Sequence, residues 1–344
     1  MQPLLNTLFV TTEGSYLARR RETVCVRREK KIVAQFPIHL LEGIVCFGRT
    51  GMSPKVLELC ARAGVPLTVL SSIGRFVGRF HGPTTGNVLL RRQQYRLTDA
   101  PEPAAKIVRS IVIGKVSNCR TVILRAARER EESDPSVAQL RRSAQDLADV
   151  LQRLACEVTL DSARGHEGEA AAAYFSVFDH FIIAQKDGFQ FAKRSRRPPL
   201  DPINALLSFL YTLLMHDVAG AVESVGLDPA VGFLHRDRPG RPGLALDLME
   251  ELRPVLADRL ALSLINRRQV SAEGFRRTES GAVWMDDKTR KEVLIAYQTR
   301  KKEVITHPFL NEEIELGLVP HVQALLLARH LRGDLDGYPP FLWK

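Results

Sequence analysis

GFLHRDRPGRPGLALDLMEELRP, residues 232–254, is the stretch from which the rest of the chain is read. A short apolar run ends at His235. A basic loop follows, built from Arg236, Arg238, Pro239, Gly240, Arg241, Pro242 and Gly243. An acidic helix then starts, with Asp247, Glu250 and Glu251 set among Leu246, Leu248, Met249 and Leu252. Asp247 and Glu250 lie three residues apart and so share a helix face. Carboxylate oxygens suit Mg²⁺ and Mn²⁺, and an imidazole beside them tilts the preference towards Mn²⁺. The same D-x-x-E spacing also suits a solvated helix face, and a histidine after GFL also suits a half-buried packing position. Pro254 is expected to kink or break the helix that the acids begin.

Outward from this stretch, the chain divides by periodicity. Residues 1–85 read as a β-rich domain. TLFVTT, YLARRRETVCVRRE, KIVAQFPI, LEGIVCFG, PLTVLS and RFVGRF are short segments rich in Val, Ile, Thr and Phe, with Gly, Glu-Lys or Pro between them. One helix is expected at SPKVLELCARAG, with Ser53 as cap, Pro54 in the first turn and Gly64 as the stop. Gly82–Gly86 reads as a linker. From residue 86 to 344 the spacing is helical. One helix should run from Ala104 to about Arg130, its apolar side carrying Ile107, Ile111, Val112 and Val116 and its polar side Lys106, Arg109 and Lys115. In RGHEGEAAAAYF, Gly165 and Gly168 mark the expected start of a helix. Asp201 and Pro202 cap a helix that is apolar nearly all round, PINALLSFLYTLL, the expected core of the second domain. The fold class is therefore α+β: a small N-terminal β-sheet or sandwich domain (1–85), then a larger all-α domain (86–344).

The formal charge of +10 favours a polyanionic partner, because Lys and Arg displace condensed counterions from nucleic acid. Two basic clusters could meet phosphate: Lys193, Arg194, Arg196 and Arg197 before a Pro-Pro turn, and Arg236, Arg238 and Arg241 in the loop above. Simple solubility explains either cluster taken alone. The five cysteines are scattered and form no C-x-x-C pair, which argues against a zinc ribbon or a disulfide framework and for a reducing compartment. No signal peptide and no run of the length of a membrane span is read, so a cytoplasmic protein is expected. There is no P-loop, no dinucleotide-binding glycine motif and no nucleophile elbow, which removes the nucleotide-hydrolase, dehydrogenase and serine-hydrolase readings.

Four separated blocks together carry a resemblance: GHEGEAAAAYF (165–175), RRPPLDPINALLSFLYTLL (196–214), VGFLH (231–235) and LALDLMEELRP (244–254). With NTLFVT near the start and GNVLLRRQQY at 86–95, the chain resembles CRISPR-associated protein one, the spacer-acquisition integrase, over essentially its whole length. NEEIELGLVPHVQA and the tail ending YPPFLWK resemble subtype I-C. The resemblance implies an N-terminal β-domain that dimerises and a helical domain that holds Mg²⁺ or Mn²⁺. It implies Glu167, His235 and Glu250 as metal ligands, and Asp247 as a further residue needed for activity. It implies a metal-dependent endonuclease and integrase, in which the 3′-hydroxyls of short duplex DNA attack phosphodiesters of the repeat. The implied partners are double-stranded DNA with 3′ ends, CRISPR repeat DNA, a second copy of this chain, and the small CRISPR-associated protein two, in a heterohexamer. A non-catalytic architectural DNA-binding protein would keep the basic clusters but would not need Glu167, His235 and Glu250 to converge.

Overall fold

The computed structural model describes residues 6–72, 76–83, 88–156 and 159–343. Most of the expected linker, from Thr84 to Gly86, lies outside the described residues. The chain falls into two compact units, Met1–Thr85 and Gly86–Lys344.

The first unit has two four-stranded sheets. In one, β1 (Thr7–Val10) pairs parallel with β5 (Gly43–Phe47) and β5 with β7 (Leu67–Leu70), while β8 (Phe76–Phe80) runs antiparallel to β7. The other has the order β4 (Lys31–Pro37), β3 (Thr23–Arg28), β2 (Tyr16–Arg20), β6 (Gly51–Met52). The sequence treats YLARRRETVCVRRE as one segment, but it is a hairpin. Arg21 takes a φ of 53°, the chain reverses, and Arg20 pairs with Thr23. The helix α1 (Pro54–Ala63) is capped by the Ser53 side chain and stopped by Gly64 at φ 68°. Its Val56, Leu59 and Cys60 join Leu17, Val24, Ile44, Cys46 and Leu67 in one apolar core.

The second unit is helical. Its elements are α2 (Val88–Asp99), α3 (Pro101–Arg128), α4 (Pro135–Ala155), α5 (Leu160–Ser176), α6 (Pro202–Ser224), α7 (Gly243–Leu252), α8 (Arg259–Asn266), α9 (Asp287–Lys301) and α10 (Val319–Leu331). It also holds two short antiparallel ribbons, β9 (Phe275–Arg277) with β10 (Val283–Met285), and β11 (Val304–Thr306) with β12 (Glu313–Glu315). The second unit is thus helical with two small β additions. α3 lies against α4, α5 and α7, and α6 lies against α7 and α10.

Three local expectations change. α5 starts at Leu160, where the Thr159 hydroxyl accepts from the Ser162 amide, so Gly165 and Gly168 lie inside the helix. Pro254 does not end its helix. The chain widens into a π-helical segment, Arg253–Asp258, and continues as α8. A widened turn accommodates a residue with no N–H, and such turns gather at functional sites. Finally, α6 reaches the length and hydropathy of a membrane span, but 61% of its apolar window is buried within the fold. It is the core helix, and its Asp201 cap and Pro202 start are as the sequence predicts.

Candidate functional site

Asp247 organises the turn that presents His235. The acid is fully buried in α7. Its Oδ2 accepts from the backbone amides of Phe233 (2.6 Å) and Leu234 (2.9 Å). Its Oδ1 accepts from the His235 amide (2.9 Å) and pairs with His235 Nδ1 (2.7 Å). A carboxylate can only accept, so Nδ1 carries a proton, and in the neutral ring the lone pair is on Nε2. From outside, Arg164 on α5 clamps the same turn, donating to Leu234 O (2.9 Å) and Phe233 O (3.3 Å). Gly232 is required by crowding: a Cβ there would lie 2.6 Å from the Gly243 carbonyl carbon and 2.8 Å from Asp247 Oδ2.

Beside His235 stands Glu250 from α7, and Lys115 from α3 links Glu250 to Glu167 of α5. His235 Nε2 stands 3.9 Å from Glu250 Oε1. Lys115 Nζ hydrogen-bonds Glu167 Oε1 and lies 2.7 Å from Glu250 Oε2. Both contacts are close ion pairs of one ammonium with two carboxylates. Arg253, in the π-helical segment, meets Glu250 Oε1 at 2.6 Å. Glu250 is 2% exposed, whereas Glu167 and His235 are 27% and 18% exposed, so the centre has a buried floor and an open side. Burial raises the Glu250 pKa, but Arg253, Lys115 and His235 outweigh it and hold the carboxyl below its ordinary range. Burial likewise works against the Lys115 ammonium, and Glu250 and Glu167 more than compensate, raising its pKa.

Among the described residues, no three His, Cys, Asp or Glu side chains stand close enough to enclose an ion by themselves. Lys115 explains the spacing, because its ammonium lies between the two carboxylates. The donor set fits a divalent ion of the Mg²⁺ or Mn²⁺ kind. Two carboxylates meet at one place already occupied by positive charge, and an imidazole nitrogen stands 3.9 Å from the nearer oxygen of one of them.

The basic residues divide. Lys193, Arg196, Arg197, Arg236 and Arg238 are exposed. Arg241 is partly buried, and burial together with the charges of Arg238, Arg197 and Arg253 lowers its pKa, with Asp247 opposing. The two loops therefore bring their positive charge together beside Arg253. Arg194 points inward instead. Its guanidinium donates to Asn204 Oδ1 (2.6 Å), Ser208 Oγ (3.1 Å) and the Ser195 carbonyl, and stacks over Tyr211.

Sequence reasoning missed Lys115, Arg164 and Arg253. It placed Lys115 on the polar side of α3, yet Lys115 sits between buried Gly114 and buried Val116. An isolated cation beside the Ile111, Val112, Val116 stripe was the available signal. It also missed the anchor behind α7. Glu251, next to Glu250, is fully buried and accepts from the Phe341 amide (2.6 Å), Gln323 Nε2 (3.1 Å) and Tyr338 OH (2.7 Å). Burial pushes its carboxyl up to about 8, against the lowering effect of those three hydrogen bonds. Asn118 ties the same tail to α3 and α7, donating to Glu251 O (2.7 Å) and Phe341 O (2.9 Å) and accepting from the Trp343 amide (2.7 Å).

The β-rich unit followed by this helical unit is a fold that recurs in solved structures. Over 98% of this chain and 94% of the other, it is similar to a casposase bound to an integration product, with a TM-score of 0.85 and 20% identity. It is also similar, over 98% of this chain and 36% of the other, to a Cas6-RT-Cas1–Cas2 complex, with a TM-score of 0.81 and 22% identity. The family model CRISPR associated protein Cas1 matches residues 8–299. A curated relative from Rhodospirillum rubrum, CRISPR-associated endonuclease Cas1 2, is 54% identical over 100% of both chains. The chain belongs to the Cas1 family.

Proposed function

We propose that this Cas1-family enzyme is a metal-dependent integrase of CRISPR adaptation that inserts short DNA duplexes into the repeat array. The observation that carries the reading is the meeting of Glu167 and Glu250 at one cation, Lys115 Nζ, with His235 Nε2 held by Asp247 at 3.9 Å from Glu250 Oε1. Glu167, His235 and Glu250 would hold Mg²⁺ or Mn²⁺. When bound, that ion supplies Lewis acidity towards a phosphoryl oxygen and towards the attacking and leaving oxygens. Asp247 holds the direction of the His235 ring, and Arg253 pairs with Oε1 of Glu250. Arg196, Arg197, Arg236, Arg238 and Arg241 would carry the phosphate backbone to the open side of the centre. Their mutual repulsion is relieved by a polyanion.

The reaction is a transesterification: a DNA 3′-hydroxyl attacks a repeat phosphodiester, and one 3′-oxygen leaves as the new bond forms. It needs no nucleotide cofactor, in keeping with the missing P-loop. The shared fold of a casposase bound to an integration product and of a Cas1–Cas2 complex supports DNA and the small CRISPR-associated partner as ligands of this chain too. Two dimers flanking one partner dimer, in the cytoplasm, is the assembly this reading expects. The N-terminal unit would supply the dimer contact, supported by exposed Ile32 and Val33 on the edge strand β4. The C-terminal blocks support subtype I-C.

The test supplies labelled duplex with free 3′-hydroxyls, a repeat plasmid, the small partner, and Mn²⁺ or Mg²⁺. Joined products are expected from the unaltered protein. His235→Ala should abolish them while DNA binding persists. Cut plasmid without joined product would reduce the function to a nuclease. Equal loss of binding and joining in His235→Ala would remove His235 from the ligand set.

A further inference from the structure

Lys115 is more than a charge beside the site. It extends from α3 into the gap between α5 and α7, and its ammonium is the cation those helices share. Arg253 already neutralises Glu250 from its other oxygen. Glu167 and Glu250 are therefore balanced by Lys115 and Arg253, and the cluster of four is neutral as it stands. A divalent ion taking the same two carboxylates would meet the ammonium at the same oxygens. Both cannot stay in a space this enclosed, because like charges at contact distance in a poorly solvated site repel strongly. The two cations differ in their freedom to leave. Arg253 is held between Glu250 and the Tyr211 ring. Lys115 ends a flexible four-carbon stem, so its ammonium can swing away without moving the backbone of α3.

We propose that Lys115 is a built-in placeholder for the divalent ion: its ammonium holds Glu167 and Glu250 together while the ion is absent and is displaced when the ion enters. This rests on the metal-site reading above. Two consequences follow for the protein without DNA. The ion must compete with a resident positive charge, so its affinity is lower than the carboxylates alone would give. The ion-free fold is protected from repulsion between two carboxylates of which one is almost fully buried.

The test uses the full-length protein without DNA, with Mn²⁺ as the probe. Calorimetric titration gives its affinity, and thermal unfolding is followed with and without it. Lys115→Met keeps the stem and removes the charge. It should bind Mn²⁺ about tenfold more tightly or better, ~1.4 kcal/mol. Its ion-free melting temperature should fall below that of the unaltered protein, and saturating Mn²⁺ should restore it, since a ligand that binds only the folded state stabilises it. Unchanged or weakened Mn²⁺ affinity in Lys115→Met overturns the placeholder. If Lys115→Met does not fold, Lys115→Arg decides. A guanidinium pairs with both carboxylates more rigidly, so Mn²⁺ affinity should drop by about tenfold or more, and unchanged affinity overturns the proposal. Glu250→Gln separates the two readings. If it binds Mn²⁺ as well as the unaltered protein, or if neither binds, the metal site itself fails and the placeholder with it.

Discussion

Asp247→Asn should cost this protein more stability than removing His235, although His235, and not Asp247, is the residue proposed as a metal ligand. Asp247 accepts from four donors, two on each oxygen: the amides of Phe233 and Leu234, and the amide and Nδ1 of His235. An asparagine offers one acceptor oxygen and turns an NH₂ towards the other pair. With the NH₂ towards Phe233 and Leu234 two buried amides lose their acceptor; with it towards His235 that residue's amide loses its acceptor and the ring must change tautomer. At about 1–3 kcal/mol for each unsatisfied buried group, the loss is ~1–6 kcal/mol. Set against a typical total of about 5–15 kcal/mol, that is a large part of the helical unit's stability. His235→Ala removes a partly exposed ring and one hydrogen bond, worth ~1 kcal/mol. Urea unfolding followed by far-ultraviolet circular dichroism measures both variants. A second measurement follows the tautomer. If the asparagine NH₂ faces the ring, Nδ1 must accept, the proton moves to Nε2, and the lone pair facing Glu250 is lost; ¹⁵N correlation spectra of the imidazole report this directly. The reasoning fails if Asp247→Asn lies within ~1 kcal/mol of the unaltered protein, or if His235→Ala is the more destabilised of the two.

Asp258 should make stability fall as pH rises. Burial lifts its carboxyl from 3.8 to about 6, opposed by the Tyr211 and Tyr174 hydroxyls at 2.6 and 3.1 Å and by Arg194 and Arg253. The native state then holds a proton that the unfolded chain has released, so stability drops from about pH 4 to about pH 6 by ~3 kcal/mol. Asp258→Asn should make the fall in that window shallower, leaving the part that Glu251, raised to about 8, contributes, and an undiminished slope would refute the assignment. Asn118→Ala should strip the tail's anchor, leaving the Trp343 amide and the carbonyls of Glu251 and Phe341 without their partner. A loss of ~2–4 kcal/mol and faster proteolysis within residues 338–343 are expected, and unchanged stability would mean the tail is held by packing alone.

The sequence by itself determined the features written in short spans. The α+β class follows from a change of period, from short β-branched segments to 3.6-residue spacing. Both ends of α1 and the start of α6 follow from Ser53, Pro54, Gly64, Asp201 and Pro202, because caps act within one turn of chain. The YLARRRETVCVRRE hairpin escaped because its reversal has no glycine and depends on Arg21 accepting a positive φ that pairing with β3 rewards. Glu167, His235 and Glu250 could be singled out because four motif blocks keep their order, but spacing alone could not separate them from a solvated helix face. Tertiary structure decided what those residues do to one another. Lys115, 52 residues from Glu167, reads as a surface cation until α5 and α7 close over α3. Asp247 reads as an acid on a helix face until three amides of the preceding turn are aimed at it. Glu251 reads as one more surface acid until residues 338–343 cover it. In each case the deciding energy is the desolvation of a charge, and whether a charge is desolvated depends on which distant segment lies over it, which no local pattern encodes.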